Sequence, residues 1–369
     1  MRGTGLRRDL GSGKQAEEVQ EMEIRRLEGA EKLLTRPLYE EAFPEDTPPL
    51  VDYYYQWKMA ENEVWAALDQ GRVVGMLCLN PYRVMLRGRE YALSYIVAVA
   101  TARTHRRQGV MRAVLSAALR AERAKGRPFT FLKPANVAYY EPFQFALASG
   151  RRHRRLRADL RLFTRPLHSD DAEALAFMNR ILEESYDIYC FRDRAYMDCL
   201  LAELSAGSGS AERICLIESG ELAGIRVRDL PEFADEDCRL ISEERYTEPA
   251  RDASGVLRPD TPFIMLRVLD LPELLRNVFL RRDVAAEQRE HCFYFADPLL
   301  PENDGVWRWT LTHQGSRLCR AEGISPEGLF CFTPELVTRW LFRYGAAQEL
   351  PAWCAELEVF RGAYFDEET

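Results

Sequence analysis

Residues 95–126 read YIVAVATARTHRRQGVMRAVLSAALRAERAKG. An apolar run rich in β-branched residues stops at Thr101. A basic loop carrying Arg106, Arg107, Gln108 and Gly109 follows, and an amphipathic pattern starts at once with Val110, Met111 and Arg112. The order is strand, basic loop with glycine, helix. Free backbone N–H groups at the start of a helix point outward, and the helix dipole favours an anion there. Gly109 lets a ligand approach the backbone closely, and two arginines add charge. This arrangement suits a pyrophosphate. It is neither G-x-x-x-x-G-K-[ST] nor G-x-G-x-x-G, and taken alone it is also compatible with a solvated loop.

The bulk properties narrow the setting. A chain of 369 residues exceeds one ordinary core and predicts two or three domains. Hydrophobic residues make up 47% and charged residues 29%, a globular profile. The formal net charge of −8 argues against non-specific nucleic-acid binding and favours cationic partners. No apolar stretch is long enough to span a bilayer, so no membrane partner is expected. Residues 1–21 carry basic residues without an apolar h-region and read as a disordered or artificial extension. Nine cysteines, an odd number with no C-x-x-C pair, read as reduced thiols of a cytoplasmic protein. The histidines form no H-E-x-x-H or i, i+4 pair, so no metal site is expected.

Turn signals divide the rest into three units: 22–160, 161–261 and 262–369. The first opens with the strand MEIRRL and a helical pattern placing Leu33, Leu34, Leu38 and Ala42 on one face. Strands EVWAALD, RVVGMLCLN, YRVMLRG and REYALSYIVAVAT follow, with turns at Gln70-Gly71 and Gly88. After the helix from about Val110 to Lys125 come the strand PFTFLKP, the helical turn NVAYYEPFQF and a last strand. The second unit has two helices, the first capped by Ser169, and then a hairpin. The third has a strand, a helix with Pro272 in its first turn, three strands and a helix capped by Thr333-Pro334.

This order resembles the GNAT acyltransferase superfamily. VAVATARTHRRQGVM (97–111) resembles its acetyl-CoA motif R/Q-x-x-G-x-G/A, here Arg106-Arg107-Gln108-Gly109-Val110-Met111, with Met111 where a small residue is usual. YYEPFQF (139–145) resembles its Y-x-x-F-G-F segment, with Gln144 in place of glycine. LYEEAFPED (38–46), YYYQWK (53–58) and GMLCLNPY (75–82) add smaller matches. From about residue 22 the whole chain resembles the Eis (enhanced intracellular survival) type of acetyltransferase.

The resemblance implies an α+β protein. Its first domain would be a GNAT fold with a mixed, mostly antiparallel sheet and flanking helices. A reduced GNAT-like domain and a sterol-carrier-like domain would follow. The activity implied is transfer of an acetyl group from acetyl-CoA to a primary amine of a cationic small molecule or peptide, in a ternary complex. Backbone groups of Val97 and Val99 would hold the pantetheine arm, and the N–H groups of Arg107 to Arg112 the pyrophosphate. Asn136 would lie near the cofactor's sulfur or serve as a helix cap. Tyr140 would protonate the leaving thiolate, with Tyr139 as the alternative. The α-carboxylate of Thr369 would be the base, with Glu367 and Glu368 as competitors. Phe43, Tyr54 and Trp57 could line the acceptor site, and Asp46 could meet its charge. The resemblance also implies a homo-oligomer, a hexamer. A rival reading is a lipid- or partner-binding protein with a vestigial acyltransferase site.

Overall fold

The computed structural model describes residues 22–228, 239–345 and 349–367; the 1–21 extension lies outside them. The first unit runs β1 (Glu23–Leu27), α1 (Arg36–Ala42), α2 (Pro48–Tyr53), a π-turn (Tyr54–Lys58), α3 (Met59–Glu61), β2 (Glu63–Asp69), β3 (Arg72–Leu86), β4 (Arg89–Thr101), α4 (Val110–Ala124), β5 (Phe129–Leu132), β6 (Ala146–Arg151) and β7 (Arg154–Leu156). The second runs β8 (Leu162–Pro166), α5 (Ala172–Ser185), β9 (Ile188–Cys190), α6 (Arg194–Ala206), β10 (Ser210–Leu216), β11 (Leu222–Arg228), β12 (Arg239–Ser242) and β13 (Thr247–Pro249). The third runs β14 (Thr261–Val268), α7 (Leu271–Leu275), β15 (Phe279–Leu280), β16 (Gln288–Phe295), β17 (Gly305–Thr312), β18 (Ser316–Arg320), β19 (Cys331–Phe332), α8 (Pro334–Phe342), β20 (Leu357–Glu358) and β21 (Ala363–Tyr364).

Two-residue turns with positive φ at both places, Gln70-Gly71 and Arg87-Gly88, join β2 to β3 and β3 to β4. Such turns match the right-handed twist of the flanking strands. The residues expected as two strands, RVVGMLCLN and YRVMLRG, form one long strand, because Pro81 sits within β3 without ending it. Helix α4 lies on this meander. It buries Val110, Val114, Leu115, Ala118 and Leu119, spaced as one helical face. The helix comes close at Gly75, where an added Cβ would stand 2.4 Å from Val110.

The main sheet has the order β1-β2-β3-β4-β5-β14-β6, with β9 on β3 and β21 on β9. Its sixth place belongs to the third unit: β14 is antiparallel to both β5 and β6, with Leu266 opposite Phe131 and Ala146. A single buried cluster runs from Val114 and Phe131 through Leu266 to Trp309 and Phe365. The turn-rich stretch before Thr261 therefore separates stretches of chain, while the cores on its two sides are continuous. The second unit has its own core, formed by Met178, Leu182, Met197 and Ile225 between two helices and the antiparallel sheet β12-β11-β10-β8. The third unit adds the sheet β18-β17-β16-β19.

Three local expectations change. Leu33 and Leu34 are 57% and 47% exposed, since they lie in a 3₁₀ turn, Gly29–Thr35, whose tighter winding breaks the 3.6-residue face. Asp171, not Ser169, caps α5, accepting from the Ala174 N–H at 3.0 Å. EVFRGAYF (358–365), which reads from its sequence as a strand, is not one: β20 pairs with β15 and β21 with β9, and Gly362 turns the chain between them at φ 135°.

Candidate active site

Strands β4 and β5 run parallel and are paired only at Tyr95 and Phe131. Beyond that pair they separate. On its other edge β4 carries a bulge, where the β3 register shifts and Ala98 takes φ 52°. A bulge bends a strand and re-aims its backbone groups. Val97 and Val99 flank it, half-buried, facing a gap with no β5 partner.

At the mouth of the gap stands α4. Its N-cap is Gly109 at φ 84°, and no side chain caps the helix start. The N–H groups of Val110, Met111 and Arg112 thus lack helical acceptors. An added Cβ at Gly109 would meet nothing within 4 Å, so the space before the helix is open. Arg107 also takes a left-handed conformation, φ 63°. Side chains brace the loop: Arg106 Nε donates to the Thr101 carbonyl at 3.3 Å and Gln108 Nε2 to that of Thr104 at 2.9 Å. The basic loop of the sequence is thus an ordered turn presenting backbone N–H groups and arginines on one side.

The aromatic segment folds as two 3₁₀ turns, Val137–Tyr139 and Glu141–Phe143. Of its adjacent tyrosines, Tyr139 is 59% exposed and Tyr140 only 7%. Burial pushes the Tyr140 phenol up to about 12, so it keeps its proton at neutral pH. Gln144 occupies the left-handed region at φ 64°, as the glycine it replaces would. Asn136 is a cap, its Oδ1 accepting from the Ala138 N–H at 3.0 Å.

The aromatics expected at an acceptor site divide. Tyr54 is core, 3% exposed, stacked on Tyr39 at 4.9 Å. Phe43 packs on the same Tyr39 ring, and Asp46 accepts from the Tyr39 hydroxyl at 2.7 Å. These three hold α1 and the π-turn against the sheet and stand outside the cavity that Trp57 lines. That cavity, of about 340 Å³, lies between the first unit and α6.

Opposite Trp57 the cavity wall comes from residues the sequence did not single out. Tyr82 lies on β3; Tyr196, Asp198 and Glu203 lie on α6. Glu203 pairs with the buried Lys58 at 3.7 Å, and Lys58 lies over the Tyr82 ring. The tail closes the wall. Arg192, 2% exposed, bonds Glu367 at 2.7 Å and also grips Asp366. Tyr196 donates to Glu367 at 3.2 Å. Phe365 stacks on Phe131, where β4 and β5 part. Burial works against the ionised Asp366, but Arg192 and Arg239 outweigh it and hold its carboxyl below the ordinary range. Glu367 is thus committed to the clamp. Thr369 and Glu368 lie outside the described residues.

Residues 23–148 match the family model for the acetyltransferase (GNAT) domain. Solved structures share the fold over most of the chain. A probable N-acyltransferase from Enterococcus faecalis has a TM-score of 0.68 at 12% identity, over 87% of this chain and 90% of its own. A GCN5-related N-acetyltransferase from Anabaena variabilis has 0.68 at 13%, over 91% and 94%. Eis1 from Mycobacterium abscessus has 0.59 at 15%, over 92% and 97%. No curated protein matches the chain.

Arg192→Met would strand two buried carboxylates. Breaking such a pair costs about 3–5 kcal/mol, which denaturant titration at pH 7 should show. Because the folded pKa of Asp366 is depressed, its contribution is present above the unfolded value and lost as pH falls through the folded one. The gap between variant and parent should therefore narrow as the titration is repeated below about pH 4.

Proposed function

We propose that the protein transfers an acetyl group from acetyl-CoA to a primary amine of a cationic acceptor, with both substrates bound together. The observation that carries this reading is the uncapped start of α4, with Gly109 at φ 84° and open space before it, at the mouth of the β4–β5 gap. An extended ligand with an anionic middle fits there: its pyrophosphate on the N–H groups of Arg107 to Arg112, its arm along Val97 and Val99. Acetyl-CoA supplies the activated acetyl group. A backbone N–H beside the bulge would polarise its carbonyl, and Tyr140, buried and protonated, would give its proton to the departing sulfur.

The acceptor would enter the cavity beside Trp57. Glu61, Asp193, Asp198, Glu203 and Glu367 line it with Lys58, Arg83 and Arg239; Glu203, Asp193, Asp198 and Glu367 are paired with Lys58, Arg83, Arg194 and Arg192, and Glu61 is the lining carboxylate we propose for an ammonium. For the base we propose the α-carboxylate of Thr369, because the clamp on Asp366 and Glu367 holds the preceding tail in the cavity wall. The second unit, without a basic turn of its own, would be a GNAT-like domain turned to building that wall. The third would be a sterol-carrier-like scaffold, and the assembly a cytoplasmic homo-oligomer. Of the residues the rival lipid-binding reading would use, Trp309, Leu341 and Phe342 are buried in the common core, while Trp340 is partly buried and lines a second cavity with Arg339, Arg343 and Val359.

Gly109→Asp would set a carboxylate at the phosphate site in a backbone shape that disfavours any side chain. Calorimetry should show acetyl-CoA binding lost while the protein still folds, with a melting temperature lowered only by the roughly 1–2 kcal/mol cost of a left-handed side chain; undiminished binding would refute the cofactor assignment. Tyr140→Phe keeps the ring and removes the proton. Thiol release should slow by about 10²–10⁴-fold at unchanged acetyl-CoA affinity. Appending residues after Thr369 should abolish turnover while acetyl-CoA still binds. Full activity of that extended protein would move the base elsewhere.

A further inference from the structure

Among the described residues nothing hydrogen-bonds the Tyr140 hydroxyl, so its place is set by the turn that carries it. That turn is strained at one point. The Tyr140 carbonyl accepts from the N–H groups of Phe143 and Phe145, at 3.0 and 3.4 Å. Between them Gln144 is left-handed, a conformation that is costly for a residue with a side chain. The peptide entering this residue begins at the Phe143 carbonyl, at the end of a 3₁₀ turn with no helical partner to follow.

The partner comes from 124 residues further along the chain. Arg267, on β14, has no exposed surface, and its Nε donates to the Phe143 carbonyl at 2.8 Å. The other guanidinium nitrogens are engaged as well. One donates to the Val268 carbonyl and the other to Asp297 at 2.6 Å. Asp297 is fixed in turn by the N–H of Leu300 at 3.0 Å and by Asn303 at 3.0 Å. A planar guanidinium with every edge bonded has one orientation. The Phe143 ring is held from the other side, where the Arg112 guanidinium of α4 lies 5.0 Å from its centre. The turn is thus gripped at its backbone by the third unit and at its ring by the helix of the proposed pyrophosphate site.

We propose that Arg267 is a positioning residue for acetyl transfer: by holding the Phe143 carbonyl it keeps the left-handed turn at Gln144 and so the aim of the Tyr140 hydroxyl. This rests on the reading of Tyr140 as the acid. It gives the third unit a part in the chemistry of the first without contact with either substrate. A hydroxyl must lie within hydrogen-bond reach of the atom it protonates, and a misplacement of about 1 Å can cost about a hundredfold in rate.

Two variants test it. Arg267→Lys keeps a charge for Asp297 but loses the fork that reaches Phe143. Arg267→Met combined with Asp297→Asn removes both charges, so neither is left buried alone. Each is made with Tyr140 intact and in the Tyr140→Phe background. Melting curves and acetyl-CoA affinity report the fold and the cofactor site; turnover is read as free thiol release at saturating substrates. The expected result is a folded protein with near-native acetyl-CoA affinity and turnover lowered by about ten- to a hundredfold, with no further loss once Tyr140 is Phe. Native turnover in a folded variant would overturn the proposal, as would an equal proportional loss in both backgrounds. If neither variant folds, Arg267 serves the fold rather than Tyr140, and the proposal falls. Native turnover of Tyr140→Phe alone would instead take the acid role from Tyr140, and the positioning role would fall with it.

Discussion

Strand β4 leaves β5 after a single paired residue, Tyr95 opposite Phe131. A sheet that gives up its ladder must find other partners for its backbone groups, because unpaired buried N–H and C=O groups are costly. The chain meets that constraint in two ways. Below the parting, Phe365 of the tail stacks on Phe131 and fills the space. Above it, the gap stays open, with the bulge at Ala98 on one wall and the bare end of α4 at the mouth. The open part is where the proposed extended ligand, with its own hydrogen-bonding groups, would lie.

The other units follow from what the first lacks. Its sheet would end with β5 and β6 unpaired at facing edges, and β14 fills the place between them. Filling it merges the hydrophobic cores of the first and third units and brings Arg267 and Asp297 inside, where neither touches solvent. A buried pair of this kind contributes little net stability, but each member is costly to leave alone. It therefore enforces one arrangement of the strands and turns around it, including the turn that carries Tyr140.

The second unit keeps its own core and contributes a wall and a clamp. Helix α6 faces α2 and the π-turn of the first unit, joined to α2 by the Tyr53 hydroxyl on the Cys199 carbonyl and to the π-turn by Lys58 with Glu203. Arg192 holds the tail against this wall through Asp366 and Glu367. The tail is thus tied at both ends of its last stretch: by Phe365 to the first unit's sheet and by its carboxylates to the second unit.

By itself the sequence determined what local pattern encodes. The strand, basic turn and helix around Gly109 were legible because β-branched runs, a glycine at positive φ and a helical apolar stripe each leave a short-range mark. The meander, with its two glycine turns, was legible for the same reason. The tertiary structure alone decided which aromatics face inward. Tyr54 and Trp57 are three residues apart in one aromatic run, yet one is buried and the other lines a cavity, because a π-turn rotates the face that an α-helix would present. It alone decided that Leu33 and Leu34 stand in solvent, that β14 belongs to the first unit's sheet, and that Arg192 and Arg267 grip groups more than a hundred residues away. Those contacts join side chains with no spacing in common, and an arginine bound for the interior is written with the same letter as one that solvates a loop.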